Sequence, residues 1–171
     1  MKSLSLLILV PAIALAQKLP AGCPLLTAAE IGAATGMKVG QPQETDMTLP
    51  KGQGQMSGCM WKLGDKGMVN LSVVRAPASK EDREKGLVGL RQTYEALKAQ
   101  GWIVTETKFG ADMLCNVATP PTAQSEQAPA MTGCISGAKG YGLSVTVMGP
   151  HFKTPPEKVK TLADDLVKRL P

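Results

Sequence analysis

Apolar and polar residues alternate along three stretches of this chain. Cys59, Trp61 and Leu63 are spaced by two, as are Val69, Leu71 and Val73 after the Gly64-Asp65-Lys66-Gly67 turn. Side chains of a strand alternate between faces, so each set shares one face of a β-hairpin. Glycine accepts positive φ without a Cβ penalty, which suits the turn. A similar hairpin is predicted from Met131 to Gly149, where Leu143, Val145 and Val147 alternate with Ser144, Thr146 and Met148. Another runs from Trp102 to Lys108 and from Ala111 to Ala118, turning at Phe109-Gly110.

A longer period marks the helices. Thr27-Ala28-Ala29-Glu30 reads as a capping box, with Gly36 as a left-handed stop, and predicts a short helix over 28–35. Ser79 is placed to cap a longer helix over 80–100 that ends at Gly101. Leu87, Leu90, Tyr94 and Leu97 form its apolar stripe. Gly86 and Gly89 each cost about 1 kcal/mol there, which fits a close helix–sheet approach or a frayed first turn. The last helix starts at Thr154-Pro155-Pro156-Glu157, with Thr154 as cap, and Val159, Leu162, Leu166 and Leu170 form its stripe. Residues 40–55 read as a loop after a brief strand at Lys38-Val39. Residues 119–129, with Pro120, Pro121 and Pro129, read as an exposed connection. The expected fold class is α+β: an antiparallel sheet of hairpins with two to three flanking helices and two disulfides.

The N-terminus changes where this domain is expected to reside. Lys2, the apolar run Leu4 to Leu15 and the small-x-small triplet Ala14-Leu15-Ala16 read as a secretory signal, residues 1–16, cleaved after Ala16. The run is too short to span a bilayer. A single exported domain over 17–171 follows, periplasmic or secreted. Its size lets it bury roughly two thirds of its unfolded surface. A rival reading takes Pro20-Ala21-Gly22-Cys23 as a lipidation site, which would leave an odd number of thiols in an oxidising compartment.

Four cysteines, Cys23, Cys59, Cys115 and Cys134, permit three pairings. Two lie in matching contexts, Met56-Ser57-Gly58-Cys59 and Met131-Thr132-Gly133-Cys134, each followed by a Leu-Ser-Val strand. That likeness suggests a decayed duplication or convergence, and keeps a Cys59–Cys134 bond open. Cys115 and Cys134 lie on consecutive predicted strands, which favours bonding them to each other and Cys23 to Cys59.

Charge and candidate chemistry point away from several functions. The net charge of +5 comes without blocks of like charge, so no nucleic-acid footprint is present. No CxxC pair and a single histidine argue against structural zinc and thiol redox catalysis. His151 could serve as a general base, but it has no recognisable nucleophile beside it. Asp164-Asp165 diverge on a helix toward solvent. Gly137-Ala138-Lys139-Gly140-Tyr141-Gly142 joins two predicted strands, so it lacks the helix N-terminus a phosphate loop needs. Trp61, Trp102, Tyr94 and Tyr141 are candidate ligand anchors, though Trp61 shares a face with Cys59 and reads as core. Nine methionines add adaptable apolar surface. The expectation is no catalytic residue, no cofactor and no metal, with an unknown protein or small-molecule ligand as partner and neither nucleic acid nor a membrane span. The leading functional reading is a non-enzymatic exported binding or sensor-like domain. One alternative is a periplasmic carrier of a small apolar molecule held between sheet and helix, and a third is a hydrolase using His151.

Cys23-Pro24-Leu25-Leu26-Thr27-Ala28-Ala29-Glu30-Ile31 followed by Cys59-Met60-Trp61 resembles a group of exported bacterial domains. The group includes small actinobacterial lipoproteins and the extracellular sensor domain of PknH-type serine/threonine kinases. The resemblance implies an antiparallel sheet with flanking helices, similar to the PsbP-like fold, and disulfides matching the favoured pairing. Members commonly carry a lipidated cysteine upstream of this motif, which is absent here and favours a soluble form. The resemblance implies no enzymatic activity and fixes no ligand.

Overall fold

The structure is a computed structural model and describes residues 19–49, 55–75, 91–122, 128–149 and 154–171. The signal 1–16, Ser79, Gly86, Leu87, Gly89, Leu90 and His151 lie outside them. After a 3-10 turn at Cys23–Leu25 the elements are α1 (Ala28–Thr35), β1 (Val39–Glu44), β2 (Met47–Thr48), β3 (Gln55–Leu63) and β4 (Gly67–Arg75). A helical segment over 91–99, α2, precedes β5 (Ile103–Phe109), β6 (Met113–Thr119), β7 (Ala130–Ala138), β8 (Tyr141–Gly149) and α3 (Pro156–Arg169). The strands form one antiparallel sheet in the order β1-β3-β4-β8-β7-β6-β5, with β2 following β1 along the same edge of β3. The α+β class with two disulfides is the one the sequence predicts.

The core lies on one face of this sheet. Cys59, Trp61, Leu63, Val69, Leu71, Val73, Leu143, Val145 and Val147 point to it and are buried. The stripe Val159, Leu162, Leu166 and Leu170 of α3 is buried as well, as is Ile31 of α1. α3 packs across β7, β8 and β6, and α1 packs against α3 and β1. The predicted capping box is present: Glu30 N–H donates to Thr27 Oγ1 and Thr27 N–H to the Glu30 carboxylate, and Gly36 ends α1 at φ 71°.

Two expectations need correction. Residues 40–55 are not all loop, because β1 and β2 pair with β3. β1 carries Gly40 and Pro42, its register slips between Val39 and Pro42, and most of its residues are exposed. Proline is tolerated at a sheet edge. The backbone ladder therefore holds this strand, and no apolar alternation announces it. The other correction concerns Thr154, which does not cap α3. The N-cap is Pro155, without a side-chain cap bond, and the buried Thr154 hydroxyl has no partner among the described residues. A residue before proline is driven toward extended backbone, so Thr154 sits one position too early to reach the first-turn amides.

An ion pair locks α1 to α3. Arg169 donates to the Glu30 carboxylate and, at 2.9 Å, to the Leu25 carbonyl. The Arg169 hydrogen bond, helped by Thr27, holds the Glu30 carboxyl at about 2, against an ordinary value of 4.5. A depressed carboxylate pKa stabilises the fold above the unfolded-state value, and that stability is lost as pH falls through the folded value. Glu30→Gln, which can still cap, is therefore expected to cost at most about 1 kcal/mol near neutral pH because the pair is partly exposed. It should also flatten the fall in stability between pH 4.5 and about 2, as denaturant titrations at stepped pH will read.

Candidate ligand-binding face

The cysteines staple the sheet at two places. Cys23–Cys59 ties the 3-10 turn to β3 with Cα atoms 4.9 Å apart, and Cys115–Cys134 joins directly opposed residues of β6 and β7 at 4.0 Å. With Cys23 in a disulfide, its sulfur is not available for lipidation. Cys59, Leu71, Val145 and Cys134 lie in one row across β3, β4, β8 and β7. Two strands thus separate Cys59 from Cys134, roughly 14 Å at ordinary strand spacing, beyond disulfide reach. The matching hairpins meet at their Leu-Ser-Val segments, with Ser72 directly opposite Ser144.

Several of the other residues singled out in the sequence fall into structural roles. Trp61 is 1% exposed within the core. Tyr141 is buried with the Arg75 guanidinium 5.4 Å from its ring centroid. Asp164 and Asp165 pair with Lys160 and Lys168. Lys139 and Gly140, both at positive φ, form a two-residue turn between β7 and β8, so the segment is no phosphate loop. Lys139 Nζ donates to the Leu170 carbonyl at 2.7 Å, beyond the end of α3. Among the described residues no cluster of three His, Cys, Asp or Glu could hold a metal. None of the described helices is long and apolar enough to cross a membrane.

The opposite face of the sheet has a different composition. One row across it reads Met68, Met148, Met131, Ala118 and Val104, and the next reads Met60, Asn70, Thr146, Gly133, Asn116 and Glu106. Ser72, Ser144, Ile135, Leu114 and Lys108 follow. Tyr94 of α2 lies close enough to Glu106, on the β5 strand of this face, to feel its charge. Burial, and secondarily the charge of Glu106, raise the pKa of the half-buried Tyr94 hydroxyl. Gly101, at φ 84°, ends the helical segment, and Trp102 N–H donates back to the Leu97 carbonyl.

Asn116 is the feature of this face that packing does not explain. It is 4% exposed, and among the described residues neither its amide nitrogen nor its carbonyl oxygen has a hydrogen-bond partner. A buried, unpaired carboxamide costs about 1–3 kcal/mol per polar group, and native structures keep few of them. Gly133 lies beside it in the row, and a Cβ there would come within 3.1 Å of Thr146 Oγ1. The Thr146 side chain thus closes over Gly133, next to Asn116 in the row, and the methionine row runs alongside. One sign of this is present in the sequence: Met113-Leu114-Cys115-Asn116-Val117-Ala118 is nearly continuous in apolar character, as expected of a strand covered on both faces.

An open groove of about 550 Å³ lies at the β1/β2 edge, lined by Leu19, Ala21, Glu44, Asp46, Met47 and Ser57 among others. Of its two carboxylates, Asp46 is already engaged. Ser57 Oγ donates to Asp46 at 2.9 Å and Gly58 N–H at 3.0 Å.

No family model matches the sequence, and no curated protein does. Among solved structures, the chain is similar in fold to the extracellular domain of PknH from Mycobacterium tuberculosis. The TM-score is 0.54 at 17% identity, over 85% of this chain and 92% of that one. At this identity the likeness defines an architecture, an antiparallel sheet with flanking helices.

Proposed function

We propose that this chain is a single exported, non-enzymatic domain, matured by cleavage after Ala16, that binds a small ligand on the second face of its sheet. The unpartnered Asn116 carboxamide carries this reading. A ligand with an adjacent donor and acceptor, such as an amide or a carboxylic acid, would satisfy both of its atoms. The Thr146 hydroxyl, over Gly133 in the same row as Asn116, adds a polar group, and Met131, Met148 and Met68 offer adaptable contacts to an apolar body. Two disulfides support export, because such bonds persist in oxidising compartments. The fold likeness to an extracellular domain agrees with that placement. The carrier reading is the same site with a ligand held for transport, and the half-buried Tyr94 near Glu106 at the β5 end of this face supports it.

Native mass spectrometry of protein purified from its exporting cell tests the proposal. Wild-type protein is expected to retain a small-molecule adduct, and Asn116→Leu is expected to lose it. The variant should fold as well as wild type or better, since an apolar isostere removes both unpaired groups. A variant that keeps the adduct, or a wild-type protein without one, contradicts the proposal.

A further inference from the structure

We propose that the outer edge of β5 pairs with β5 of a second copy of this chain, antiparallel, with Thr107 opposite Thr107. The sheet has two ends, and they are built differently. The β1 end carries Gly40, Pro42 and a register slip, devices that keep a sheet edge from recruiting another strand. The β5 end carries none of these. Ile103-Val104-Thr105-Glu106-Thr107-Lys108-Phe109 lacks proline and glycine, and its register with β6 is unbroken from Ile103 opposite Thr119 to Phe109 opposite Met113. β-Branched and aromatic residues dominate it, the composition that favours strand pairing. Among the described residues no strand lies beyond it. Ile103 is 66% exposed, and Thr105, Glu106 and Lys108 are exposed too.

The charges on β5 select the partner and the register. A two-fold axis normal to the sheet keeps each face continuous, so it must pass through a residue position. Centring on Glu106 sets Glu106 against itself, and centring on Lys108 sets two lysines together. Centring on Thr107 sets Glu106 against Lys108 of the second copy, twice, on the α2 side of the sheet. It also sets Thr105 against Phe109 of the second copy and the two Thr107 residues against each other. These are favourable cross-strand pairs, whereas directly opposed like charges disfavour pairing. Glu106 and Lys108 have no salt-bridge partner among the described residues. The sequence of this edge is thus complementary to itself in one register, a strand-addition mode of recognition.

Sedimentation equilibrium on the mature, oxidised chain tests this. Wild type is expected to dimerise with rising concentration. Glu106→Lys and Lys108→Glu should each weaken the dimer at least about tenfold, since two attractive pairs become repulsive. An equimolar mixture of the two variants should recover the dimer, because one strand then presents lysine at both positions and faces a strand that presents glutamate at both. That recovery also shows that both variants fold. A wild type that stays monomeric, a dimer indifferent to both reversals, or a mixture no tighter than either variant alone would overturn the proposal.

Discussion

Replacing Cys23 and Cys59 together with alanine should lower the stability of the oxidised domain by about 4 kcal/mol. The bond closes a loop with a sequence separation of 36 residues. In the chain-entropy model such a loop restricts the unfolded ensemble by that amount, against about 3 kcal/mol for the 19-residue separation of Cys115–Cys134. The longer loop also anchors more. Leu25, Leu26 and Ile31, all buried, follow Cys23 directly, so freeing the 3-10 turn loosens the N-terminal rim of the core. For a domain of this size the melting temperature should fall by roughly 8–15 °C. Thermal melts of the two double-alanine variants check the ranking. A Cys115/Cys134 variant that melts lower than the Cys23/Cys59 variant would show that strand–strand packing at β6 and β7 outweighs loop closure.

Trp61→Ala should have a comparable effect, costing about 3–5 kcal/mol. Trp61 is the largest fully buried side chain and sits opposite Val69 on β4 and Pro42 on β1. Its removal withdraws apolar area from the core and leaves a cavity between rigid strands, where relaxation is limited. Trp61→Phe should cost clearly less. Denaturant titrations of both variants read the difference, and equal losses would place the role of Trp61 in its indole N–H and not in its volume.

The parts of the fold that are legible in the sequence are those whose signals are local or amphipathic. The Thr27/Glu30 capping box, the stripe of α3 and the alternation in β3, β4 and β8 each compress packing into a short pattern. Facing positions on consecutive predicted strands favour Cys115–Cys134, which leaves Cys23 for Cys59. The elements that differ from expectation lack such signals. β1 is held by backbone pairing at an exposed edge, and the α3 cap is displaced because Pro155 constrains the residue before it. The second face is hidden in the sequence for a related reason. Its rows are assembled from five or six strands, so Asn116, Gly133 and Thr146 become neighbours only once the register is known. In sequence, Asn116 is one polar residue in an apolar run.

The most direct measurement is where a ligand touches the folded, oxidised protein. Isotope-labelled domain can be mixed with a small-molecule extract of the exporting cell's envelope while backbone, methyl and side-chain amide resonances are followed. Shifts are expected at the Asn116 carboxamide, Gly133, Thr146 and the methyl groups of Met131, Met148 and Met68, with the α1 and α3 face silent. Shifts clustered at Met47, Asp46 and Ser57, or no shifts with any fraction of the extract, would contradict the proposed site.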